Sequence, residues 1–146
     1  YGYYGNERMI ELCKLTMDDE EFLDFILLDI NQQDEKLKEY GIFVGINTLE
    51  IDIFAAIDNN SEYEVIISVF NELTDGGKQQ KNNFKENLAS MRYNKCLAQI
   101  ESSHSNVGKG RFAQRLASVC TNKMAPSYIK YAIKYISEKV RGGVIE

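Results

Sequence analysis

The sequence predicts a helix-rich α/β domain, with one or two short strands near its middle and a helical bundle towards its C-terminus. Three observations support this prediction. Most of the chain carries apolar residues at intervals of three and four, which is the helical period. One brief segment, IFVG, is β-branched and aromatic, as strands often are. A second segment, LEIDIF, alternates apolar and acidic residues with the period of two that is typical of a strand.

The predicted elements follow in order along the first half of the chain. The run TMDDEEFLDFILLDINQQDEKLKEYG is mostly helical, with a cap at Thr16, a capping box closed by Asp19 and an end at Gly41. Within it, FILLDI alone also fits a short buried strand. IFVG then forms a strand. LEIDIF is expected to be a strand or loop that turns into a helix, although Thr48 before it also fits a helix start.

The second half is predicted to be helical throughout. SEYEVIISVFNELT forms one helix, and after a TDGG turn a single long helix is expected to bury Phe84, Leu88 and Met91. GRFAQRLASVC forms the next helix, and Pro126 opens the last one. The predicted buried face of this last helix consists of Tyr128, Ile129, Ala132, Ile133 and Ile136.

Size and composition indicate one globular domain over residues 1–146. A hydrophobic fraction of 44% is enough for a core. The formal net charge is -5, so binding to a polyanion would need a local patch or a metal ion. No apolar run reaches the roughly 20 residues that cross a bilayer. Three widely spaced cysteines without a CxxC pair fit a reducing cytoplasm, so we expect a cytoplasmic protein without membrane contact.

Lys109, which lies between two glycines in GKG, is the first candidate functional residue. The segment is not a P-loop, because a P-loop needs GxxxxGK followed by Ser or Thr. Two interpretations remain. Gly108 and Gly110 form a turn and Lys109 is a solvated charge, which is the commoner case for a charged loop residue. Alternatively, the glycines let Lys109 reach a scissile phosphate beside a helix N-terminus and stabilise its charge.

Glu50 and Asp52 are the second candidate. In a strand, their side chains point to the same face, where two carboxylates can bind Mg²⁺ or Mn²⁺. The alternative is an exposed edge or the first turn of a helix, where both carboxylates are solvated. The only histidine, His104, lies in the same loop as GKG and could bind phosphate or carry a proton, although a loop histidine is more often inert.

Three stretches of the chain resemble a known family in their order and spacing. GIFVGINTLEIDIF, FNELTDGGKQQKNNFKENL and GKGRFAQRLASVC with APSYIKYAIKYI are similar to the C-terminal part of ATP-dependent endonucleases of the OLD (overcoming lysogenization defect) type. That family includes the Gabija anti-phage nucleases. The similarity runs from about Lys36 to about Val140, which is most of the chain.

The resemblance implies a partial Toprim domain, the α/β nuclease fold of topoisomerases and primases. Such enzymes cleave DNA phosphodiesters with Mg²⁺ or Mn²⁺, and ATP would act only through an ATPase domain that this chain lacks. Carried over by motif, Glu50 of TLEID is a metal-binding and catalytic carboxylate and Asp52 is a weaker neighbour. Lys109 of GKGR is the catalytic lysine.

The same resemblance implies that the chain depends on other components. Because the sequence has no strand–Glu–Gly motif and no intact DxD pair, an ATPase domain or a partner subunit is expected to supply the remaining metal ligands. A homo-oligomer is one form that such an assembly could take, and the isolated chain is not expected to assemble a full metal site. The alternative hypothesis is a non-catalytic helical module that supports assembly or DNA contact in a larger complex, with Glu50 and Lys109 as bystanders.

Overall fold

A computed structural model of the chain describes residues 3–58 and 60–142, with side chains from residue 7 onwards. Every regular element in these ranges is helical. The α-helices are α1 (Tyr3–Thr16), α2 (Asp19–Leu27), α3 (Ile30–Glu39), α4 (Leu49–Ala55), α5 (Asn60–Leu73), α6 (Lys78–Ala89), α7 (Tyr93–Glu101), α8 (Lys109–Ala117) and α9 (Ser127–Gly142), and a 3₁₀ turn covers Asn122–Met124. None of these helices combines the length and apolarity needed to cross a membrane.

The predicted α/β fold class is wrong. The described residues contain no strand and no sheet, so this part of the chain lacks the sheet of a Toprim-like domain, whereas the predicted helical bundle is present. The IFVG segment forms no regular secondary structure. Its first N–H, that of Ile42, donates to the carbonyl of Leu37 at 2.9 Å, and Ile42 and Val44 pack on a helical core. The helices therefore cover the apolar side chains that a sheet would otherwise bury.

The second predicted strand, LEIDIF, lies in helix α4. Its alternation suggested a strand, but the two most deeply buried apolar residues are Ile51 and Phe54, three positions apart. Residues three apart share a face of a helix and lie on opposite faces of a strand. Burial of this pair on one side therefore favours the helix, and Thr48 occupies the N-cap position without a side-chain hydrogen bond.

Both of the long predicted helices are broken into two. Helix α2 begins with a capping box of Asp18 and Glu21 instead of Thr16 and Asp19, and α3 begins with a second box in which the Asp29 carboxylate accepts from two backbone N–H groups. Between α6 and α7, Met91 takes a positive φ of 55°. At the end of α3, Gly41 has a φ of +73°, which confirms its predicted role.

The helices divide into two compact units, and the prediction of one domain over residues 1–146 stays a prediction. The first unit contains α1–α3 and α9. Its buried cluster is formed by Met9, Cys13, Met17, Phe25 and Leu37. The second unit contains α4–α8. Its larger core includes a stacked pair, Phe70 and Phe84, with ring centroids 3.9 Å apart.

The predicted buried face of α9 is only partly covered, since Tyr128, Ile129 and Ala132 are half-buried and Ile133 and Ile136 are exposed. No residue of this helix is buried, and Ile133 and Ile136 are each 60% exposed. The helix contacts its unit through the side that carries Tyr135, whose ring lies edge-on to Phe43 and whose hydroxyl donates to the carbonyl of Glu39 at 3.4 Å. The described chain therefore leaves the Ile133 and Ile136 part of the apolar stripe uncovered.

Candidate active site

Lys109 is the first residue of helix α8, within the second unit. Gly108 precedes it as the N-cap, with a φ of +73°, and the Gly108 N–H donates to the carbonyl of Ile100 near the end of α7 at 3.0 Å. Phe112 and Leu116, one and two turns further on, are buried. The start of α8 is therefore fixed from both sides, by a backbone bond to α7 and by its own apolar face.

The loop between α7 and α8 is held by buried hydrogen bonds. The carbonyl of Ser105 accepts from the Thr74 hydroxyl at 3.0 Å and from the Asp75 N–H at 3.1 Å. Ser105 and Val107 are fully buried. A loop with satisfied polar groups and a buried apolar anchor is well ordered. The GKG segment is therefore the end of an anchored loop and the beginning of a helix.

Helix α4 brings Glu50 to the start of α8. The Phe54 ring, one turn after Glu50, lies edge-on to the Phe112 ring at a centroid distance of 6.2 Å. Phe112 in turn lies one turn after Lys109. Residues three or four apart share a helix face, so this aromatic contact places Glu50 and Lys109 opposite each other.

The resulting cluster has one ammonium group and two carboxylates. The Lys109 Nζ lies 3.6 Å from Oε2 of Glu50 and 3.6 Å from Oε1 of Glu101. The Glu50 side chain is 7% exposed, that of Lys109 42% and that of Glu101 50%. Lys109 and Glu101 are therefore accessible to solvent, and Glu50 is the buried member of the cluster.

Glu50 is incompletely satisfied in this arrangement. Its buried Oε2 has no hydrogen-bond partner among the described groups, and the Lys109 ammonium at 3.6 Å is an ion-pair contact only. Buried polar atoms are nearly always hydrogen-bonded, so such an oxygen requires an explanation. The cluster contains two carboxylates, those of Glu50 and Glu101, and one ammonium group, that of Lys109. Its net charge is therefore negative, which favours the binding of a further cation.

The cluster fits part of a divalent cation site. Mg²⁺ prefers oxygen ligands and is often held by one or two carboxylates together with water and substrate phosphates. Glu50 and Glu101 supply two such carboxylates. Within residues 3–58 and 60–142, however, no group of three or more His, Cys, Asp or Glu side chains could hold a metal ion. The described residues alone therefore do not form a complete metal site.

Other predicted site residues lie elsewhere. Asp52 is buried in α4, but residues two apart in a helix point in different directions, so the helix separates it from Glu50. His104 is exposed in the loop before α8, where its backbone N–H donates to the Ser102 hydroxyl at 3.2 Å. Lys109 and Glu50 are thus the two predicted residues that the structure brings together.

Glu101 is the member of the cluster that sequence reasoning missed. It is the last residue of α7, and it comes near Lys109 because the intervening loop folds back on itself. The only signal in the sequence is the short spacing to GKG, which by itself does not reveal that fold.

Helix α8 also concentrates positive charge. It carries Lys109, Arg111 and Arg115 and no acidic residue. Arg111 donates to the carbonyl of Asn106 at 2.8 Å, and Arg115 makes two bonds to the Glu72 carboxylate at 3.0 and 2.9 Å. A cationic helix with its N-terminus beside the cluster suits an anionic ligand.

Comparisons with protein-family models, with curated proteins and with solved structures found no match for the chain.

Proposed function

We propose that the chain supplies part of the active site of a metal-dependent DNA endonuclease of the OLD type, acting in the cytoplasm in anti-phage defence. Its contribution would be the cluster of Glu50, Glu101 and Lys109 together with the helices that position it. One observation carries this proposal: a buried carboxylate with an unpaired oxygen lies 3.6 Å from a partly exposed ammonium group, although the two residues are far apart in the sequence.

Lys109 is the residue suited to contact the scissile phosphate. Its side chain is 42% exposed and lies beyond hydrogen-bonding distance of either carboxylate, so it is free to turn towards an anion. At the first position of α8 it shares that space with backbone N–H groups that also attract anions. An ammonium group in that position would neutralise the negative charge that develops on a phosphodiester during cleavage.

Glu50 and Glu101 are the residues that would hold Mg²⁺ or Mn²⁺. The unpaired oxygen of Glu50 would gain a partner, and the excess negative charge of the cluster would be balanced. A bound divalent cation polarises the phosphodiester and lowers the pKa of a coordinated water molecule. In the absence of the cation, Lys109 would occupy the position of the positive charge and keep the two carboxylates apart.

The remaining components would come from outside this chain. Two carboxylates are too few for a complete metal site, so an ATPase domain or a partner subunit, and the phosphates of DNA, would supply the other ligands. A chain of net charge -5 repels DNA in general. Contact with DNA would therefore be confined to the metal ion and the cationic helix α8.

Binding of Mn²⁺ to the assembled enzyme tests the role of the cluster, with free Mn²⁺ followed by electron paramagnetic resonance. We expect Glu50→Gln and Glu101→Gln to weaken binding by about tenfold or more. Lys109→Met should strengthen it by about tenfold, because a competing charge is removed from both carboxylates. The control pair is Lys85 and Glu64, an exposed ion pair at 3.3 Å, and Lys85→Met and Glu64→Gln should change nothing.

Plasmid nicking tests the catalytic role in the assembled enzyme. Lys109→Ala should lower the nicking rate with Mg²⁺ by about 10²–10³, the usual effect of removing one charge-stabilising donor, whereas Lys85→Ala should not. If Glu50→Gln and Glu101→Gln leave Mn²⁺ binding by the assembled enzyme unchanged, or if Lys109→Ala nicks DNA at the wild-type rate, the cluster is a structural ion pair. The chain would then be a non-catalytic helical module.

A further inference from the structure

Helix α9 presents an apolar face that the described chain leaves uncovered. Ile133 and Ile136 are each 60% exposed and Val140 is 73% exposed. Their spacing of three and four places them on one side of the helix. The side that packs on the first unit is a different one, marked by Tyr135. Apolar faces of this kind on a protein surface usually mark an interaction site.

Helix α2 presents a second face of the same kind. Phe25 is 2% exposed and points into the core, whereas Leu23, Ile26 and Leu27 on the other side are 59%, 48% and 83% exposed. Ile30, at the start of α3, extends this face and is 61% exposed. Helix α2 is therefore apolar on two sides, and only one of them is used by its own unit.

The two uncovered faces carry opposite charges. Helix α2 has no basic residue, and its carboxylates are those of Asp19, Glu20, Glu21 and Asp24. Helix α9 has a single carboxylate, that of Glu138, and its basic residues are Lys130, Lys134, Lys139 and Arg141. Complementary charge around two apolar faces favours contact between them and disfavours contact of either face with itself.

We propose that α9 of one copy of the chain docks on α2 of a second copy, with the apolar face Ile133–Ile136–Val140 against Leu23, Ile26 and Leu27. Because each molecule carries both faces, two copies related by a twofold axis make the contact twice. Burial of apolar area supplies the driving force, and the acidic and basic borders set the orientation.

A second copy explains both faces at once. A basic amphipathic helix can also bind an anionic lipid surface, but that partner would repel the acidic border of α2 and leave its apolar residues in water. The proposed pairing covers α2 and α9 together. It does not depend on the role of the Glu50–Lys109 cluster, which lies in the other unit.

Sedimentation velocity of the whole chain over a range of concentrations tests the pairing. We expect a monomer–dimer equilibrium that shifts towards monomer at high salt, because exposed charges are screened. Leu27→Glu and Ile136→Glu should each raise the dissociation constant about tenfold or more. Leu15→Glu is the matched control, since Leu15 is 81% exposed on α1 outside both faces, and it should pair as the wild type does.

Charge reversal provides the sharper test. One variant carries Asp19→Lys, Glu20→Lys and Asp24→Lys, and the other carries Lys130→Glu and Arg141→Glu. Each should be monomeric alone, while an equimolar mixture should pair, because the basic α2 of the first then meets the acidic α9 of the second. Far-UV circular dichroism checks that both remain helical.

Three results would overturn the proposal. The wild-type chain could stay monomeric at every concentration, or the reversed variants could pair alone as well as the wild type. Alternatively, the chain could remain monomeric and bind vesicles containing phosphatidylserine through Ile136, which would assign α9 to a lipid surface.

Discussion

At the residue scale, a buried thiol and a half-buried phenol are the clearest chemical features outside the candidate site. The Cys96 thiol is fully buried and donates to the carbonyl of Phe84 at 3.8 Å, and burial raises its pKa to about 12. The pKa of the Tyr93 hydroxyl is also raised to about 12. The main cause is partial burial, and the second cause is a hydrogen bond with Tyr63. Both groups bind their protons more tightly in the folded chain than in the unfolded chain.

We therefore predict that stability falls in alkaline solution. The ordinary pKa values are 9.0 for the thiol and 10.0 for the phenol. Below about pH 8 both groups are protonated in either state, and their contribution to stability is fully present. As pH rises towards 12, the unfolded chain loses these protons first, so the free energy of unfolding decreases. Urea unfolding at several pH values should show this decline.

Matched cysteine variants separate this effect from general alkaline damage. Cys96→Ala should make the decline shallower, because one of the groups with a raised pKa is gone. Cys120 is exposed, so Cys120→Ser should leave the pH dependence unchanged. A wild-type urea midpoint that stays constant from pH 8 to 11 would contradict the assigned pKa values.

Residue types in the sequence were enough to select Glu50 and Lys109 but not to complete the site. A carboxylate before an apolar run and a lysine between glycines are recognisable as such. Glu101 joins them only because a buried loop folds back, and that loop depends on bonds between distant residues, Thr74 to Ser105 among them. The unpaired oxygen of Glu50 is likewise a property of packing, which no local pattern encodes.

At the scale of elements, the two glycines around Lys109 have different roles. Gly108 is the N-cap of α8 with a φ of +73°, whereas Gly110 lies inside the helix, and a Cβ added at either would meet no atom within 4 Å. Space is therefore not limiting at either position, and only backbone conformation distinguishes them.

We predict opposite effects of the same substitution at these two positions. Gly108→Ala should destabilise the chain by about 1–2 kcal/mol, because an L-residue resists the left-handed conformation. Gly110→Ala should stabilise it by about 0.5–1 kcal/mol, since alanine is the better helix former. Urea unfolding measures both, and equal effects of the two variants would show that α8 begins elsewhere.

Helices were predictable and their boundaries were not. The helical period is strong in α5 and α6, where Ile66, Phe70 and Phe84 are buried as their spacing indicates. The breaks at Asp29 and Met91 fall within continuous helical patterns, because a capping carboxylate and a positive φ interrupt the backbone without interrupting the period. The short LEIDIF run fits the helical period as well as the strand period of two. It is helical in the structure, where Phe54 is buried together with Ile51, three residues before it.

At the scale of the whole molecule, each unit has its own core, and the cores differ in size. The buried cluster of α4–α8 is continuous and includes the stacked Phe70–Phe84 pair. The cluster of α1–α3 is smaller, and the helix α9 that completes its unit buries no residue. The first unit leaves apolar faces exposed, so a partner that covers them would increase its free energy of unfolding.

We predict that amide hydrogen exchange in the native chain is slower in the second unit, which has the larger core, than in the first. Amide groups open with free energies that follow local burial, so the slowest amides should lie in α5 and α6, around Phe70 and Phe84. Those of α2, near Phe25, should exchange faster, and they should slow down at the concentrations where copies of the chain pair. Phe84→Leu should speed exchange in α5 and α6. Slowest exchange in α2 at low concentration would instead place the most stable core in the first unit.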